Sequence, residues 1–194
     1  LSVDDIRDAI DPSVLDNDVS NFSLPDYVVQ HNDRPNVLSW CKKWNIDTNE
    51  AELFYDVKED RVVFPVVHGT RMIDATGRSL GKRLPKWKRY GKNNLPFVYG
   101  SGKVAVVVED CVSAIAVGNA VYAGVAVLGT SLAESHKRYL SRFSTAIIAL
   151  DPDAVPKTLA FAKELRGYVN DVKVLRVTDD LKYRREEDFD NLTK

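Results

Sequence analysis

Across residues 104–177, short apolar runs alternate with helix-patterned segments, and this alternation constrains the fold more than any other feature of the chain. Val104–Val108 is a nearly continuous β-branched run, the signature of a strand buried on both faces. A helical pattern follows over 110–120, then a second apolar strand, Val125-Ala126-Val127-Leu128, ended by Gly129-Thr130. Residues 131–142 read as a helix with Leu132, Tyr139 and Leu140 apolar, and Thr145–Leu150 as a third strand. Pro156 suits the first turn of a helix to Val169, with Leu159, Ala162, Leu165 and Val169 on one stripe. Val172–Val177 is the fourth strand. This order predicts an α/β domain over 103–194, a parallel four-stranded sheet with helices on both faces.

The preceding residues follow other periods. Pro35 opens a helical run with Val37, Leu38, Cys41 and Trp44 at helical spacing, and Trp40 and Trp44 read as core of that helix. Val3–Ile10 is a short amphipathic stretch closed by Asp11-Pro12, so residues 1–53 form an acidic, partly helical segment. Arg61–Val67 reads as a strand, His68-Gly69-Thr70 as a turn and Arg71–Ala75 as the hairpin partner. Thr76-Gly77-Arg78 and Gly81 break that pattern. Residues 54–102 are therefore expected to form a small mixed α+β subdomain, with a boundary near Gly100-Ser101-Gly102.

Charge sharpens this division. The formal net charge is only −1, yet residues 1–60 hold 14 acids and 5 bases, a net of −9. Residues 61–103 hold 10 bases and the single acid Asp74, a net of +9. Lys82, Arg83, Lys86, Lys88, Arg89 and Lys92 fall within eleven residues, interleaved with Trp87 and Tyr90. Cations there can neutralise phosphates while aromatic faces stack on bases; a solvated charged loop with its rings packed on the sheet fits the same residues. No run approaches the roughly 18 apolar residues of a membrane span. The opening is acidic, so no secretory leader is expected, and the chain reads as cytoplasmic. Cys41 and Cys111 stand far apart, which favours reduced thiols over a disulfide framework or a Cys-rich zinc site, with Cys111 a small buried hydrophobe.

In an open parallel sheet, ligands bind beyond the carboxyl ends of the strands. This chain puts acids there: Glu109 after the first strand, Asp151 and Asp153 after the third, Asp179 and Asp180 after the fourth. Carboxylates gathered at one edge repel one another unless a cation joins them. Oxygen-only donors point to Mg²⁺ or Mn²⁺, ions that also hold phosphate oxygens in phosphoryl and nucleotidyl transfer.

These segments resemble a known family. Val106-Val107-Val108-Glu109, Leu128-Gly129-Thr130-Ser131 with His136 beyond, and Ala149-Leu150-Asp151-Pro152-Asp153-Ala154 are similar to the toprim domain of DnaG-like primases, type IA and II topoisomerases and some nucleases. Upstream, Arg61–Pro65, Thr76-Gly77-Arg78-Ser79-Leu80-Gly81 and Pro85-Lys86-Trp87 resemble the basic subdomain that precedes toprim in primases. The resemblance spans roughly residues 54–183 and is greatest to phage primases of the primase-helicase lineage. It implies a toprim-type sheet and DNA-templated synthesis of RNA primers from ribonucleoside triphosphates by two-metal-type nucleotidyl transfer. It implies Glu109, Asp151 and Asp153 as catalytic residues, these three with Asp180 as ligands of Mg²⁺ or Mn²⁺, and Arg78, Lys82, Arg83, Lys86, Trp87, Lys88, Arg89, Lys92 and Lys182 as contacts to nucleotide or single-stranded DNA template. Asp180-Leu181-Lys182-Tyr183 is similar to an Asp-Pro-Lys-Tyr closing segment, which favours Asp180 over Asp179.

The chain also departs from the pattern. Where toprim has Glu-Gly-x-x-Asp, this sequence has Glu109-Asp110-Cys111-Val112-Ser113, so a serine replaces the second acid, and Pro156 replaces a common glycine. Two isolated cysteines cannot build the zinc module of such primases, and no Gly-x-x-x-x-Gly-Lys-Ser/Thr loop supplies a helicase motor. Either the chain is the excised core of a larger primase, or template choice and unwinding come from other chains, a separate zinc-binding module or a replicative helicase, in the host cytoplasm if the chain is phage-encoded. A metal-dependent toprim nuclease and a non-catalytic toprim remnant that binds single strands are the alternatives.

Overall fold

The computed structural model describes residues 22–129 and 131–194, which fall into two compact units. The expected Val3–Ile10 stretch with Asp11-Pro12, and Thr130, lie outside the described residues.

The first unit comprises, among the described residues, 22–32 and 52–93. Its strands are β1 (Val28–Gln30), β2 (Phe54–Asp56), β3 (Arg61–His68), β4 (Arg71–Ser79) and β5 (Trp87–Arg89). They pair antiparallel in that order. The expected hairpin is present as β3 and β4, with Gly69 at φ +66° in its turn. β4 does not break at Thr76-Gly77-Arg78, as the sequence pattern suggested. Those residues pair with Arg89, Lys88 and Trp87 of β5, so the basic segment itself supplies the strand that extends the sheet. Gly77 leaves room here for Tyr90: a Cβ would stand 2.8 Å from its hydroxyl and displace the ring. Val28, Phe54, Val63 and Ala75 form the core, with Phe22, Leu24, Tyr27, Met72 and Tyr90 packed against it.

Charges are buried in this small unit, and hydrogen bonds or ion pairs offset the cost of burying them. Arg61 is fully buried; its guanidinium donates to the carbonyl oxygens of Gly77 (3.2 Å) and Pro85 (2.8 Å) and lies 3.4 Å from Glu59. Asp74 is equally buried and accepts from Arg89 (2.6 Å) and the Gly91 amide (2.8 Å). Arg61 and Asp74 thus hold the two ends of the basic loop against the sheet.

The second unit comprises residues 33–51 and 94–194. It begins with α1 (Pro35–Lys43), opened by Pro35 as expected. Next come β6 (Phe97–Tyr99), β7 (Val104–Val108), α2 (Cys111–Val117), β8 (Tyr122–Ala126), α3 (Glu134–Leu140), β9 (Thr145–Ile148), α4 (Val155–Leu165) and β10 (Asp171–Val174). A 3₁₀ turn at Leu181–Tyr183 and α5 (Glu186–Leu192) close the chain. The sheet runs β10-β9-β7-β8-β6, and β7 to β10 are mutually parallel. It has five strands rather than the expected four. β6 pairs antiparallel with β8, Phe97 opposite Ala126, and so belongs to this unit although it precedes Gly100-Ser101-Gly102. The last strand starts at Asp171, paired with Thr145, and ends at Val174 instead of Val177; as an edge strand it is largely exposed, which weakened its apolar signature.

Leu140, Phe161 and Leu165 pack with Ala105, Val107, Val125 and Ile148 on one face of the sheet. α2, buried along its whole length, lies against Gly124, where a Cβ would collide with the Ala114 carbonyl. That close approach sets α2, and with it the Glu109-Asp110 corner, directly over the sheet.

Candidate active site

The strand order reverses at the centre of the second sheet. From β7 the chain steps outward to β8, then returns across β7 to β9 and continues to β10. Loops that leave β7 and β9 therefore diverge, and the crevice between them is where open α/β sheets place ligands. Glu109 leaves β7 there, and Asp151 follows β9. Backbone hydrogen bonds fasten the rim: Leu128 N donates to Glu109 O at 3.3 Å, and Ala149 N to Val107 O at 2.9 Å.

Glu109, Asp151 and Asp180 meet at this rim, with the Asp151 carboxyl near enough to both others to share a proton with them. Partial burial, then the contact and charge of Glu109, then those of Asp180, push the Asp151 carboxyl up to about 9. Burial also works to raise Glu109, but hydrogen bonds from Asp151 and Lys157 and the charges of Lys157 and Lys182 outweigh it and hold Glu109 below the usual carboxylate range. Burial and the neighbouring acids thus favour the neutral form of Asp151, while the two lysines favour the charged form of Glu109.

Two lysines complete the balance. Lys157 Nζ donates to Glu109 Oε1 at 2.7 Å and to the Gly129 carbonyl at 3.2 Å. Lys182 Nζ lies 3.4 Å from Asp180 and 3.7 Å from Asp110. Asp110 meanwhile caps α2, accepting from the Ser113 amide at 2.9 Å, and Ser113, in place of the second acid, is buried. Asp179 pairs with Arg185 at 3.2 Å, leaving Asp180 as the acid that faces Asp151. Asp153 is exposed and shares no hydrogen bond or ion pair with the row. His136 Nδ1 accepts from the Ala133 amide and so caps α3.

Among the described residues, no group of three or more His, Cys, Asp or Glu side chains forms a ready metal shell. Glu109, Asp151 and Asp180 form a row bridged by Asp151. Their chemistry still fits a hard divalent cation. They are oxygen-only donors, and the repulsion that keeps Asp151 protonated is what a cation in that proton's place would relieve.

Lys157 and Asp188 carried no signal in the sequence pattern. Lys157 sits in the first turn of α4, where the helix dipole disfavours a cation, and that misfit is the sign that it has an anionic partner. Asp188, fully buried on α5, accepts from the Thr178 amide (2.7 Å), the Thr178 hydroxyl (3.0 Å) and the Asp179 amide (3.3 Å), and pins the segment that presents Asp180.

In the first unit, the basic residues separate into two groups. Arg89 is tied to Asp74, Lys88 to Glu59, and Arg78 donates to the Ser79 carbonyl. Trp87 packs on Phe64 with ring centres 5.6 Å apart and remains half-buried, and the Tyr90 hydroxyl donates to Asp56 at 2.6 Å. Lys82, Arg83, Lys86 and Lys92 are exposed, and they are the cations of this segment open to an anionic ligand. Both cysteines are free and buried, and burial pushes the Cys41 thiol up to about 11. No helix among the described residues is long and apolar enough to cross a membrane.

No protein-family model and no curated protein sequence matches the chain. Solved structures do. The chain is similar to the DnaG primase catalytic domain bound to ssDNA over 95% of its own length and 78% of that chain, at a TM-score of 0.68 and 16% identity. It matches the zinc-binding and RNA polymerase domains of the Aquifex aeolicus primase over 86% of its length and 48% of theirs (TM-score 0.58, 19% identity). The primase fragment of the bacteriophage T7 primase-helicase protein is covered over 67% of its length by 75% of this chain (TM-score 0.55, 13% identity). The chain is built on the fold of the DnaG-type primase catalytic core.

Proposed function

We propose that this chain is the catalytic core of a DNA primase, which joins ribonucleotides on a single-stranded DNA template. The observation that carries the proposal is the Glu109–Asp151–Asp180 row at the crevice between β7 and β9, on a fold shared with primase cores. Glu109, Asp151 and Asp180 would hold Mg²⁺ or Mn²⁺, and Asp153, exposed two residues after Asp151, would turn in to join them. Such an ion supplies charge stabilisation at the phosphate under attack and makes a hydroxyl more acidic. In the reaction a primer 3′-hydroxyl attacks an α-phosphate; the new P–O bond forms, pyrophosphate leaves and the hydroxyl proton is lost. Ionised Glu109 accepts that proton, and Lys157, hydrogen-bonded to the same carboxylate, keeps it oriented. Lys182 offsets Asp180 and stands ready to meet phosphate oxygens. In the first unit, Lys82, Arg83, Lys86 and Lys92 neutralise phosphates of the template.

One observation favours a second reading. Lys157 neutralises Glu109 and Ser113 replaces an acid, which suits a module that binds single strands without chemistry. A single assay separates the readings: the chain is incubated with single-stranded DNA, labelled ribonucleotides and Mg²⁺ or Mn²⁺. Short labelled oligomers that vanish in Asp151→Asn and Asp153→Asn variants support the primase. Shortened template would assign a nuclease, and DNA binding with no product a binding module.

A further inference from the structure

Trp44 and Tyr183 come together on the second unit from opposite ends of the chain. Trp44 caps the C-terminus of α1 and Tyr183 ends the 3₁₀ turn just after Asp180. Their ring centres are 5.4 Å apart at an interplanar angle of 60°. Trp44 is not the core residue that its helical spacing suggested: it is half-buried, and Tyr183 is 51% exposed. The residues that follow each ring, Asn45 and Arg184, both adopt left-handed backbone (φ +55° and +54°), and Arg184 Nη2 donates to Asn45 O at 3.2 Å. The Arg184 side chain therefore ties the segment that carries Tyr183 to the one that carries Trp44.

Two ammonium groups lie over these rings, places that the polarised face of a base can take when the lysines swing toward its phosphates. Lys182 Nζ lies 5.7 Å from the centre of the Trp44 ring and 5.8 Å from that of Tyr183, and Lys43 Nζ lies 5.2 Å from Trp44. The same Lys182 ammonium is 3.4 Å from Asp180, so no more than about 9 Å separates the Trp44 ring centre from that carboxylate. This is the scale of the distance from a nucleobase to its own phosphates. Aromatic faces beside ammonium groups are the general chemistry for holding a base and its phosphates together.

We infer that Trp44 and Tyr183 form a stacking seat for the base of a ribonucleoside triphosphate whose phosphates meet Lys182 beside the acid row. The inference rests on the nucleotidyl-transfer reading above and adds the base-binding subsite to it. Stacking reads the face of a base and not its edge, so the seat accepts every base and leaves selection to template pairing.

Binding to the whole chain tests this by calorimetry with Mg²⁺–ATP, Mg²⁺–tripolyphosphate and a short single-stranded DNA. Wild type is compared with Tyr183→Leu, Tyr183→Phe and Lys43→Ala. Tyr183→Leu is expected to weaken ATP binding roughly 10-fold, the weight of one stacked base. Tyr183→Phe should stay within about 2-fold, since the ring is kept. Tripolyphosphate and DNA should bind all variants as they bind wild type, which also shows that the variants are folded. Equal ATP affinity in wild type and Tyr183→Leu would overturn the seat, as would equal losses of ATP and tripolyphosphate. A loss confined to DNA would make the rings a template contact and overturn it too. If wild type binds neither ATP nor tripolyphosphate, the nucleotidyl-transfer reading falls and the seat falls with it.

Discussion

Asp151 is the residue whose state sets the chemistry of the row. Its carboxyl ordinarily titrates near 3.8 and in the folded chain is pushed up to about 9, so folding takes up a proton anywhere between those values. That stabilisation is full below about pH 4 and is lost as pH rises toward 9. Glu109 shifts the opposite way, and its contribution is lost only as pH falls below the usual carboxylate range. The metal-free protein should therefore melt at a lower temperature at pH 8.5 than at pH 6. Asp151→Asn should flatten this slope and raise stability near pH 8 by on the order of 1 kcal/mol, the partial exposure of Asp151 screening the rest. Thermal melts read this as an increase of about 2–4 °C, and an unchanged slope in the variant would show that Asp151 is not the proton carrier. Glu109 and Asp151 were legible in the sequence because each follows an apolar strand run, whereas Asp180 stood out from Asp179 only through the resemblance of Asp180-Leu181-Lys182-Tyr183 to a closing segment. Lys157 was not, because its partner Glu109 is 48 residues away and only the folded sheet brings them together.

Among the elements, the segment between β10 and α5 depends most on one buried group. Asp188 accepts three hydrogen bonds from Thr178 and Asp179, and removing the carboxylate leaves buried donors without partners at about 1–3 kcal/mol. Asp188→Ala should lower the melting temperature by several degrees, roughly 2–4 °C per kcal/mol, and loosen the presentation of Asp180. In the first unit, Arg61 does the same for the basic loop through the carbonyls of Gly77 and Pro85. Arg61→Met should expose the bonds after Lys82, Arg83 and Lys86 to trypsin, so cleavage in that loop becomes much faster than in wild type. An unchanged digestion rate would mean that the loop is held by other interactions. The strands easiest to read, β7 and β9, are buried in the sheet centre and carry apolar side chains almost throughout. β5 was hidden because its residues are charged, and Lys88 and Arg89 qualify for a strand only once Glu59 and Asp74 are in place. β6 was hidden because it is three residues long and pairs with β8, well beyond it in sequence.

For the whole molecule, a net charge of −1 conceals segments of −9 and +9, and the basic one offers Lys82, Arg83, Lys86 and Lys92 to solvent. Replacing all four by alanine should weaken single-stranded DNA binding and reduce the slope of log affinity against log salt by about 0.7 for each phosphate no longer neutralised. Divalent cation binding at the acid row should not change. The fold class was legible at this scale because alternation of strand and helix leaves few topologies; the tie between Glu109 and Lys157 came only from topology.

The central claim is that Glu109, Asp151 and Asp180 are held together to share a divalent cation. Loss of the free Mn²⁺ signal in electron paramagnetic resonance measures this without any catalytic step. Wild type should take up Mn²⁺, with uptake rising as pH approaches 9 and Asp151 gives up its proton, and a Glu109→Gln, Asp180→Asn double variant should take up almost none. Uptake that is absent in wild type at every pH, or that persists undiminished in the double variant, would contradict the account.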